Sequence, residues 1–127
     1  MENLPVVFIN CRDHPFVEDI LSNRKIYETR TRNTLGRFAN KRVFIAETGK
    51  GKPVVRCSAV ILGPHTIKSK EIWERHYRER ACILPGSQFD WHDDTKCKYA
   101  YYLMAVHDEE PFVPTGKRHG RVWMEVE

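Results

Sequence analysis

Apolar residues recur along the chain with two spacings, which predict two kinds of secondary structure. Short apolar runs and strict alternation are typical of β-strands. They occur over residues 5–9, 25–32, 42–47, 54–62, 99–106 and 121–126. Two other stretches repeat apolar residues at the spacing of an amphipathic helix. One follows Pro15 and the other follows Ser69, residues that favour a helix start. The predicted apolar face of the second helix consists of Ile72, Trp73, His76 and Tyr77.

Turn-forming residues give the expected boundaries of these elements. Asn23 tolerates a left-handed backbone and should end the first helix. Residues 48–53 contain two glycines and a proline and should form a hairpin turn. Gly63-Pro64 should end the strand that begins at residue 54. We expect a long loop over residues 85–96 and a turn-rich connection over residues 108–114.

The order of the predicted elements indicates the fold class. Five or six strands and two helices that do not alternate regularly are typical of an α+β fold. We expect a small, largely closed mixed β-barrel with the two main helices at its ends. A length of 127 residues suits one domain, which we expect to span residues 1–127.

The composition excludes several classes of protein. With 41% hydrophobic and 30% charged residues, the chain is globular rather than disordered in composition. No apolar run approaches the roughly 20 residues of a membrane-spanning helix. The first residues lack the basic and apolar regions of a signal peptide. The four cysteines form no CxxC motif, which argues against a zinc ribbon or a redox motif. We therefore expect a cytoplasmic protein with unpaired, mostly buried cysteines.

Positive charge is concentrated in one part of the chain. The net charge is +4, but residues 24–56 contain ten Lys or Arg residues and only two acidic ones. Such a segment is typical of a surface that meets an anionic partner, and nucleic acid is the commonest such partner. A solvated basic face without a ligand is the alternative.

A short motif follows the first predicted helix, where Lys25, Glu28 and Arg30 lie on a predicted strand. This segment resembles the ASCH domain (activating-signal-cointegrator homology), a PUA-like family marked by Gly-x-Lys-x-x-Glu-x-Arg after its first helix. Asn23 stands at the glycine position, and the other three residues match the motif one by one. The order of elements in the rest of the chain also fits. The resemblance therefore implies a PUA-like β-barrel over most of the chain.

The resemblance also implies a cleft between the barrel and the first helices, used for RNA or nucleotide-like ligands. Some ASCH proteins are ribonucleases, and one small group hydrolyses N4-acylated cytidine nucleosides with a Lys, a Thr and a Glu. The Thr of that group lies three residues after its Lys, where this chain has Glu28. Thr29 is adjacent, but strand alternation points it to the opposite face.

The first functional hypothesis is a module that binds RNA or a modified nucleoside or nucleotide without a metal or another cofactor. The predicted ligand-binding residues are Lys25, Tyr27, Glu28, Arg30, Arg32, Arg37, Lys50 and Lys52. The three motif residues would line the pocket, because Arg offers a planar fork to phosphate and Glu accepts from an exocyclic amine. The remaining cations would follow phosphates, and Tyr27 would stack on a base.

Two other interpretations stay open. The chain is alternatively a small metal-independent hydrolase, either a ribonuclease or an amidohydrolase on an acylated nucleoside, in which Lys25 and Glu28 perform acid–base catalysis. A third interpretation is a protein-interaction domain, for which the mixed charge outside the basic segment would serve. The loop Trp91-His92-Asp93-Asp94 and the basic cluster at residues 117–121 have no assigned role, and we expect no metal site in that loop.

Overall fold

Seven β-strands and two short helices make up residues 4–126, the part of the chain that this computed structural model describes. The strands are β1 (Val6–Asn10), β2 (Tyr27–Arg30), β3 (Lys41–Thr48), β4 (Val54–Ile67), β5 (Lys98–Phe112), β6 (Gly116–His119) and β7 (Trp123–Val126). The helices are α1 (Phe16–Leu21) and α2 (Lys70–Ile72). A π-helical turn, Trp73–Tyr77, continues α2, and a 3₁₀ turn, Gly36–Phe38, precedes β3.

All seven strands belong to one mixed sheet in the order β2-β5-β4-β3-β1-β7-β6. β1 and β3 run parallel, and each of the other neighbouring pairs is antiparallel. The pairing of the two longest strands, β4 and β5, is interrupted by three register shifts. Irregularities of this kind bend strands and increase their twist, so they curve the sheet. The mixed sheet with helices confirms the α+β class.

The sheet is open, so the prediction of a largely closed barrel with five or six strands is wrong. β2 and β6 form its two edges. The sheet nevertheless curves so far that Arg30 of β2 reaches β1, where its Nη2 donates a hydrogen bond to the carbonyl oxygen of Phe8 at 2.8 Å. A side chain therefore spans the gap that a backbone ladder would close in a barrel.

Alternation along β1 divides its side chains between two hydrophobic clusters. Val7 and Ile9 belong to the larger cluster, which α1 and the π-helical turn cover with apolar side chains that include Trp73. Val6 and Phe8 belong to the smaller cluster. Because β1 is buried on both faces, its sequence reads as a continuous apolar run, as expected for a strand inside a sheet.

Two long strands extend beyond their predicted ends. β4 passes through Gly63-Pro64 and continues to Ile67. Gly63 has a φ of +114°, and a Cβ there would lie 3.1 Å from the carbonyl oxygen of Ala100. The turn signal at this point therefore marks an irregularity inside a strand and not its end. β5 continues to Phe112 through the predicted turn region. The sequence did not predict this extension because exposed acidic residues there hide any apolar periodicity.

The helix signals are confirmed at their ends, but only half of the second apolar face is correct. Asn23 has a φ of +63° just after α1, as predicted. Ser69 caps α2, since its Oγ accepts a hydrogen bond from the backbone nitrogen of Ile72 at 3.0 Å. Trp73 is fully buried, yet Ile72 is 47% exposed and His76 is exposed. Tyr77 packs against the core together with Trp73. The wide π-helical turn changes the angular spacing after α2, so the other two residues of the expected face do not join them.

The four cysteines are free. Cys11 and Cys57 are buried as predicted, whereas Cys82 and Cys97 are half-buried. Burial raises the pKa of the Cys57 thiol to about 12, which makes it an inert apolar side chain at neutral pH. Within residues 4–126, no helix has the length and apolar character needed to cross a membrane.

Candidate ligand-binding cleft

A cleft of about 860 Å³ opens between β1, β2 and the loop that precedes β5. This volume lies within the range of roughly 300–1,000 Å³ typical of small-molecule sites. Its aromatic lining comes from Phe8, Phe16 and Phe89. Its charged lining comes from Lys25, Glu28, Arg30, Arg32, Asp90, Asp94, Lys96, Lys98 and Arg121. Six of these charged residues are basic and three are acidic, so the cleft carries a positive balance.

The three motif residues form one network of ion pairs in this cleft. Arg30 donates from Nη2 and Nε to the Oε2 atom of Glu28, at 2.8 Å and 3.0 Å. The Nζ atom of Lys25 lies 3.4 Å from the other carboxylate oxygen, Oε1. The same Nζ donates to the carbonyl oxygen of Ala81 at 2.6 Å. Glu28 therefore balances the two cations, which matches its position between them in the sequence.

Lys25 is unusually buried for a charged residue, because its side chain is only 1% exposed. Its Nζ lies 4.6 Å from the centre of the Phe16 ring, an additional cation–π contact. Burial lowers the pKa of the Lys25 amine, and the neighbouring Glu28 carboxylate partly opposes this change. The amine is thus held by fixed partners inside the wall of the cleft.

The loop over residues 84–97 forms the opposite wall and is fixed by one carboxylate. Asp90 accepts hydrogen bonds from Nε1 of Trp73 and the backbone nitrogen of Gly86, both at 2.7 Å, and from the nitrogen of Trp91 at 2.8 Å. Burial alone would raise the pKa of Asp90, but these donors and Arg78 outweigh it and lower the pKa to about 2. The loop therefore presents a defined surface to the cleft.

Lys98 supports the same wall from its position at the start of β5. Its Nζ donates to the carbonyl oxygen of Phe89 at 2.8 Å and lies 4.8 Å from the centre of the Trp73 ring. Burial lowers the pKa of the Lys98 amine. Like Lys25, this lysine is committed to contacts inside the protein.

Three cations of the cleft are not committed in this way. Arg32, Lys96 and Arg121 are exposed and form no ion pair within residues 4–126. They come from three separate parts of the chain: the end of β2, the loop before β5 and the turn before β7. The fold thus brings together three free positive charges around one opening.

The architecture that builds this cleft also occurs in solved structures. The crystal structure of ASCH from Zymomonas mobilis has a TM-score of 0.69 to this chain, at 22% sequence identity, with 87% of this chain and 73% of that chain covered. This chain has the ASCH-domain fold. Two mutants of the same protein, a Tyr-to-Phe and a Ser-to-Ala substitution, both give a TM-score of 0.68 at 22% and 23% identity. Each of these two matches covers 87% of this chain. The Tyr-to-Phe mutant is covered over 76% of its chain and the Ser-to-Ala mutant over 73%.

These comparisons bear on the fold and not on the chemistry. No protein-family model and no curated protein matches the chain. Sequence identity to the solved ASCH structures is too low to carry a role from one residue to another. The motif-based resemblance to ASCH domains is therefore confirmed as a fold, and the site has to be argued from its own geometry.

Within this ASCH fold, half of the predicted ligand-binding residues lie together. Lys25, Glu28, Arg30 and Arg32 line the cleft. The other four are outside its lining: Tyr27 is on the other face of β2, Arg37 lies over the Trp123 ring, and Lys50 and Lys52 are exposed on the β3–β4 turn. Thr29, expected to point away, is among the residues that line the cleft.

Lys96 and Arg121 were missed as cleft residues by the sequence reasoning. Arg121 belongs to the basic cluster that had no assigned role, and Lys96 follows the Trp91–Asp94 loop. Only the curvature of the ASCH fold brings these distant segments to β2, so no local pattern marks them. From that loop, His92 and Asp94 also line the cleft. Among residues 4–126, no group of three or more His, Cys, Asp or Glu side chains could hold a metal ion.

Proposed function

We propose that the protein binds RNA, or a nucleotide carrying a modified base, in the cleft between β1, β2 and the loop before β5. The observation that carries this proposal is the set of three free cations, Arg32, Lys96 and Arg121, around an opening of nucleotide size. Anionic oxygens of phosphate are the natural partners of exposed guanidinium and ammonium groups.

The interior of the cleft suits the rest of a nucleotide. Phe89 is half-buried and lines the cleft beside Phe16, with 5.5 Å between their ring centres. An aromatic ring at this place offers a stacking surface for a base, while phosphates stay near the cations. The network of Lys25, Glu28 and Arg30 fixes the shape of β2 beneath this surface. Geometry therefore favours binding of an anionic, aromatic ligand.

A binding measurement with short single-stranded RNA tests this proposal. We expect fluorescence anisotropy at low salt to detect binding of a labelled RNA of about four nucleotides. Arg32→Gln and Arg121→Gln should each weaken binding severalfold, because each removes one phosphate contact. Lys68→Gln is the matched control, since Lys68 is exposed and lies outside the cleft lining.

The outcomes separate binding in the cleft from general attraction to a basic protein. If the control weakens binding as much as the two arginine variants, the cleft is not the site. If the wild-type protein binds neither RNA nor a mononucleotide, the proposed function is wrong. Circular dichroism of each variant checks that the variant is folded before its RNA affinity is compared with that of wild type.

A second candidate function, a metal-independent hydrolase, is favoured by the state of Lys25. An amine whose pKa burial has lowered gives up its proton more readily than an ordinary lysine, and a carboxylate lies 3.4 Å away to take part in the exchange. The amine would have to leave the carbonyl oxygen of Ala81 to reach a substrate, since its side chain is 1% exposed. Binding without turnover is therefore the first proposal.

Incubation with labelled single-stranded RNA and with N4-acylated cytidine tests the hydrolase. Cleavage by wild type that is insensitive to EDTA, and is lost in a folded Lys25→Met variant, would support it. Intact RNA and intact nucleoside with wild type would exclude it for these two substrate classes. Cleavage that persists in Lys25→Met would remove Lys25 from the reaction.

A further inference from the structure

Four aromatic side chains lie together on the face of β2 that is turned away from the Lys25 network. Tyr27 is at the centre, with its ring centre 5.0 Å from Tyr77, 5.8 Å from Tyr102 and 6.0 Å from His65. The hydroxyl of Tyr77 lies 3.2 Å from Nδ1 of His65. We call these four residues the aromatic surface.

The aromatic surface is accessible to solvent. Tyr102 is 38% exposed, His65 is exposed, and Tyr27 and Tyr77 are half-buried. Met104, two positions after Tyr102 on β5, is 43% exposed and extends the surface. Tyr27 and Tyr77 also pack against the hydrophobic core, so Tyr102, His65 and Met104 form the outward part of the surface. Adjoining exposed apolar side chains of this kind often mark an interaction site.

The aromatic surface and the cleft share one edge strand. Along β2, Glu28 and Arg30 belong to the network in the cleft, and Tyr27 points to the opposite side, as alternation requires. Among the strands of residues 4–126, β2 pairs with β5 alone, so no strand of this part of the chain covers its other edge. A flexible chain that occupies the cleft can therefore pass around this edge to the aromatic surface.

We propose that the aromatic surface stacks unpaired bases of an RNA whose neighbouring nucleotides lie in the cleft. This inference rests on the function proposed above and extends it from a nucleotide-sized site to single-stranded RNA. Every base has a face that can stack on a tyrosine ring, so this contact adds affinity without strong sequence preference. It also gives Tyr27, which lies outside the cleft, the stacking role that its sequence context predicts.

Charge and area favour RNA over a protein as the occupant. The carbonyl oxygen of Arg80 accepts hydrogen bonds from the backbone nitrogens of Ile26 and Tyr27, so Arg80 lies beside the surface. Arg80 is exposed and forms no ion pair within residues 4–126. A stable protein interface buries about 800 Å² on each partner, more than a few half-buried rings offer.

The test compares two substitutions at Tyr102 and two lengths of RNA. Tyr102→Phe keeps the ring, whereas Tyr102→Leu removes it and keeps an apolar side chain. We expect Tyr102→Leu to weaken binding of an RNA of about 12 nucleotides by about tenfold, and Tyr102→Phe to leave it unchanged. Neither should alter binding of an RNA of about four nucleotides, which the cleft alone can hold.

A third RNA makes the base contact explicit. In this RNA of about 12 nucleotides, abasic residues replace the nucleotides outside a central group of about four. Wild type should bind it no more tightly than Tyr102→Leu does, because its phosphates remain but its outer bases are absent. A difference between the two proteins on this RNA would contradict stacking.

The failure of this inference is distinguishable from the failure of the proposed function. If Arg32→Gln weakens binding of both RNAs but Tyr102→Leu weakens neither, the cleft binds RNA and the aromatic surface does not. If wild type binds a mononucleotide but no RNA of either length, this inference fails and the proposed function stands. If it binds neither RNA nor a mononucleotide, both fail. If Tyr102→Leu converts a dimer into a monomer on size-exclusion chromatography without altering RNA affinity, the surface contacts a second copy and the inference is overturned.

Discussion

Glu28 holds two cations inside the protein, and this residue carries the first prediction. Its side chain is 9% exposed and contacts Arg30 at 2.8 Å and Lys25 at 3.4 Å. Glu28→Gln keeps the volume but leaves both cations without a counter-charge. We expect the free energy of unfolding to fall by about 3 kcal/mol at neutral pH, because a buried cation without its partner is strongly unfavourable.

The control for this prediction is Glu71→Gln. Glu71 also contacts an arginine at 2.8 Å, but this pair is largely exposed, so its loss should cost about 0.5 kcal/mol or less. Urea denaturation measures both variants. Equal effects in the two variants would show that the buried network adds no more stability than a surface ion pair.

The pH dependence of Glu28→Gln gives an independent test. Burial already lowers the pKa of Lys25 in the wild-type protein, and removal of the carboxylate should lower it further. Between this lowered pKa and the ordinary value of 10.5, the unfolded chain binds more protons than the folded one, so stability rises with pH. The difference between wild type and Glu28→Gln should therefore shrink as the pH approaches 10.5, and a constant difference would contradict the argument.

At the scale of residues, the motif predicted the network but not its role. Alternation on a strand was sufficient to place Glu28 and Arg30 together, whereas Lys25 precedes β2 and joins them only through the fold. It could not show that Lys25 would donate to Ala81, because that carbonyl belongs to a segment 56 positions away. The sequence therefore did not show how deeply Lys25 is buried, and it did not place Lys96 and Arg121 beside this network.

At the scale of elements, the loop before β5 depends on Asp90, which gives the second prediction. The carboxylate accepts three hydrogen bonds from donors in the π-helical turn and in the loop itself. Its pKa of about 2 lies below the usual 3.8, so ionised Asp90 contributes about 2 kcal/mol of stability above pH 4. We expect Asp90→Asn to lose about this amount at pH 7, measured by urea denaturation.

The sign of the pH effect separates Asp90 from an ordinary loop residue. As the pH falls through 3.8 towards about 2, the unfolded chain takes up a proton before folded Asp90 does, so this stability is lost. The difference between wild type and Asp90→Asn should therefore shrink below pH 4. Asp93→Asn, an exposed position in the same loop, should have little effect at any pH. A difference that is independent of pH would contradict the role of the charge.

The elements that sequence reasoning predicted well are those with apolar periodicity and strong end signals. β1, β3, α1 and the capped start of α2 are of this kind. β4 was cut short because Gly63-Pro64 signals a turn, although Gly63 instead lets the strand approach Ala100 closely. β6 was missed because its four residues contain no apolar side chain to form a pattern.

At the scale of the whole molecule, the proposed binding site depends on a gap in the sheet. Periodicity predicts strands but contains no information on whether the last pairing of a barrel forms. Here β2 is only four residues long, and a bond from Arg30 to Phe8 replaces that pairing. The opening next to this contact is the cleft, and it gathers charges from three distant segments. Net charge and the basic segment 24–56 indicated an anionic partner, but only the curvature of the sheet locates where it would bind.

The location of the charges gives the last prediction, which concerns salt. Binding to single-stranded RNA weakens with salt by about 0.7 in logarithmic slope for each phosphate that a cation contacts. The double variant Arg32→Gln/Arg121→Gln should therefore flatten the slope by about 1.4 for an RNA of about four nucleotides. Lys50→Ala/Lys52→Ala should leave this slope unchanged, because both lysines lie outside the cleft lining.

A longer RNA then tests the original expectation for the β3–β4 turn. If Lys50 and Lys52 follow phosphates beyond the cleft, their double variant should flatten the slope by about 1.4 for an RNA of about 12 nucleotides. An unchanged slope at both lengths would remove the turn from the interface. If the double variant instead flattens the slope for the short RNA, the short RNA binds at the β3–β4 turn and not in the cleft, because Lys50 and Lys52 both belong to that turn.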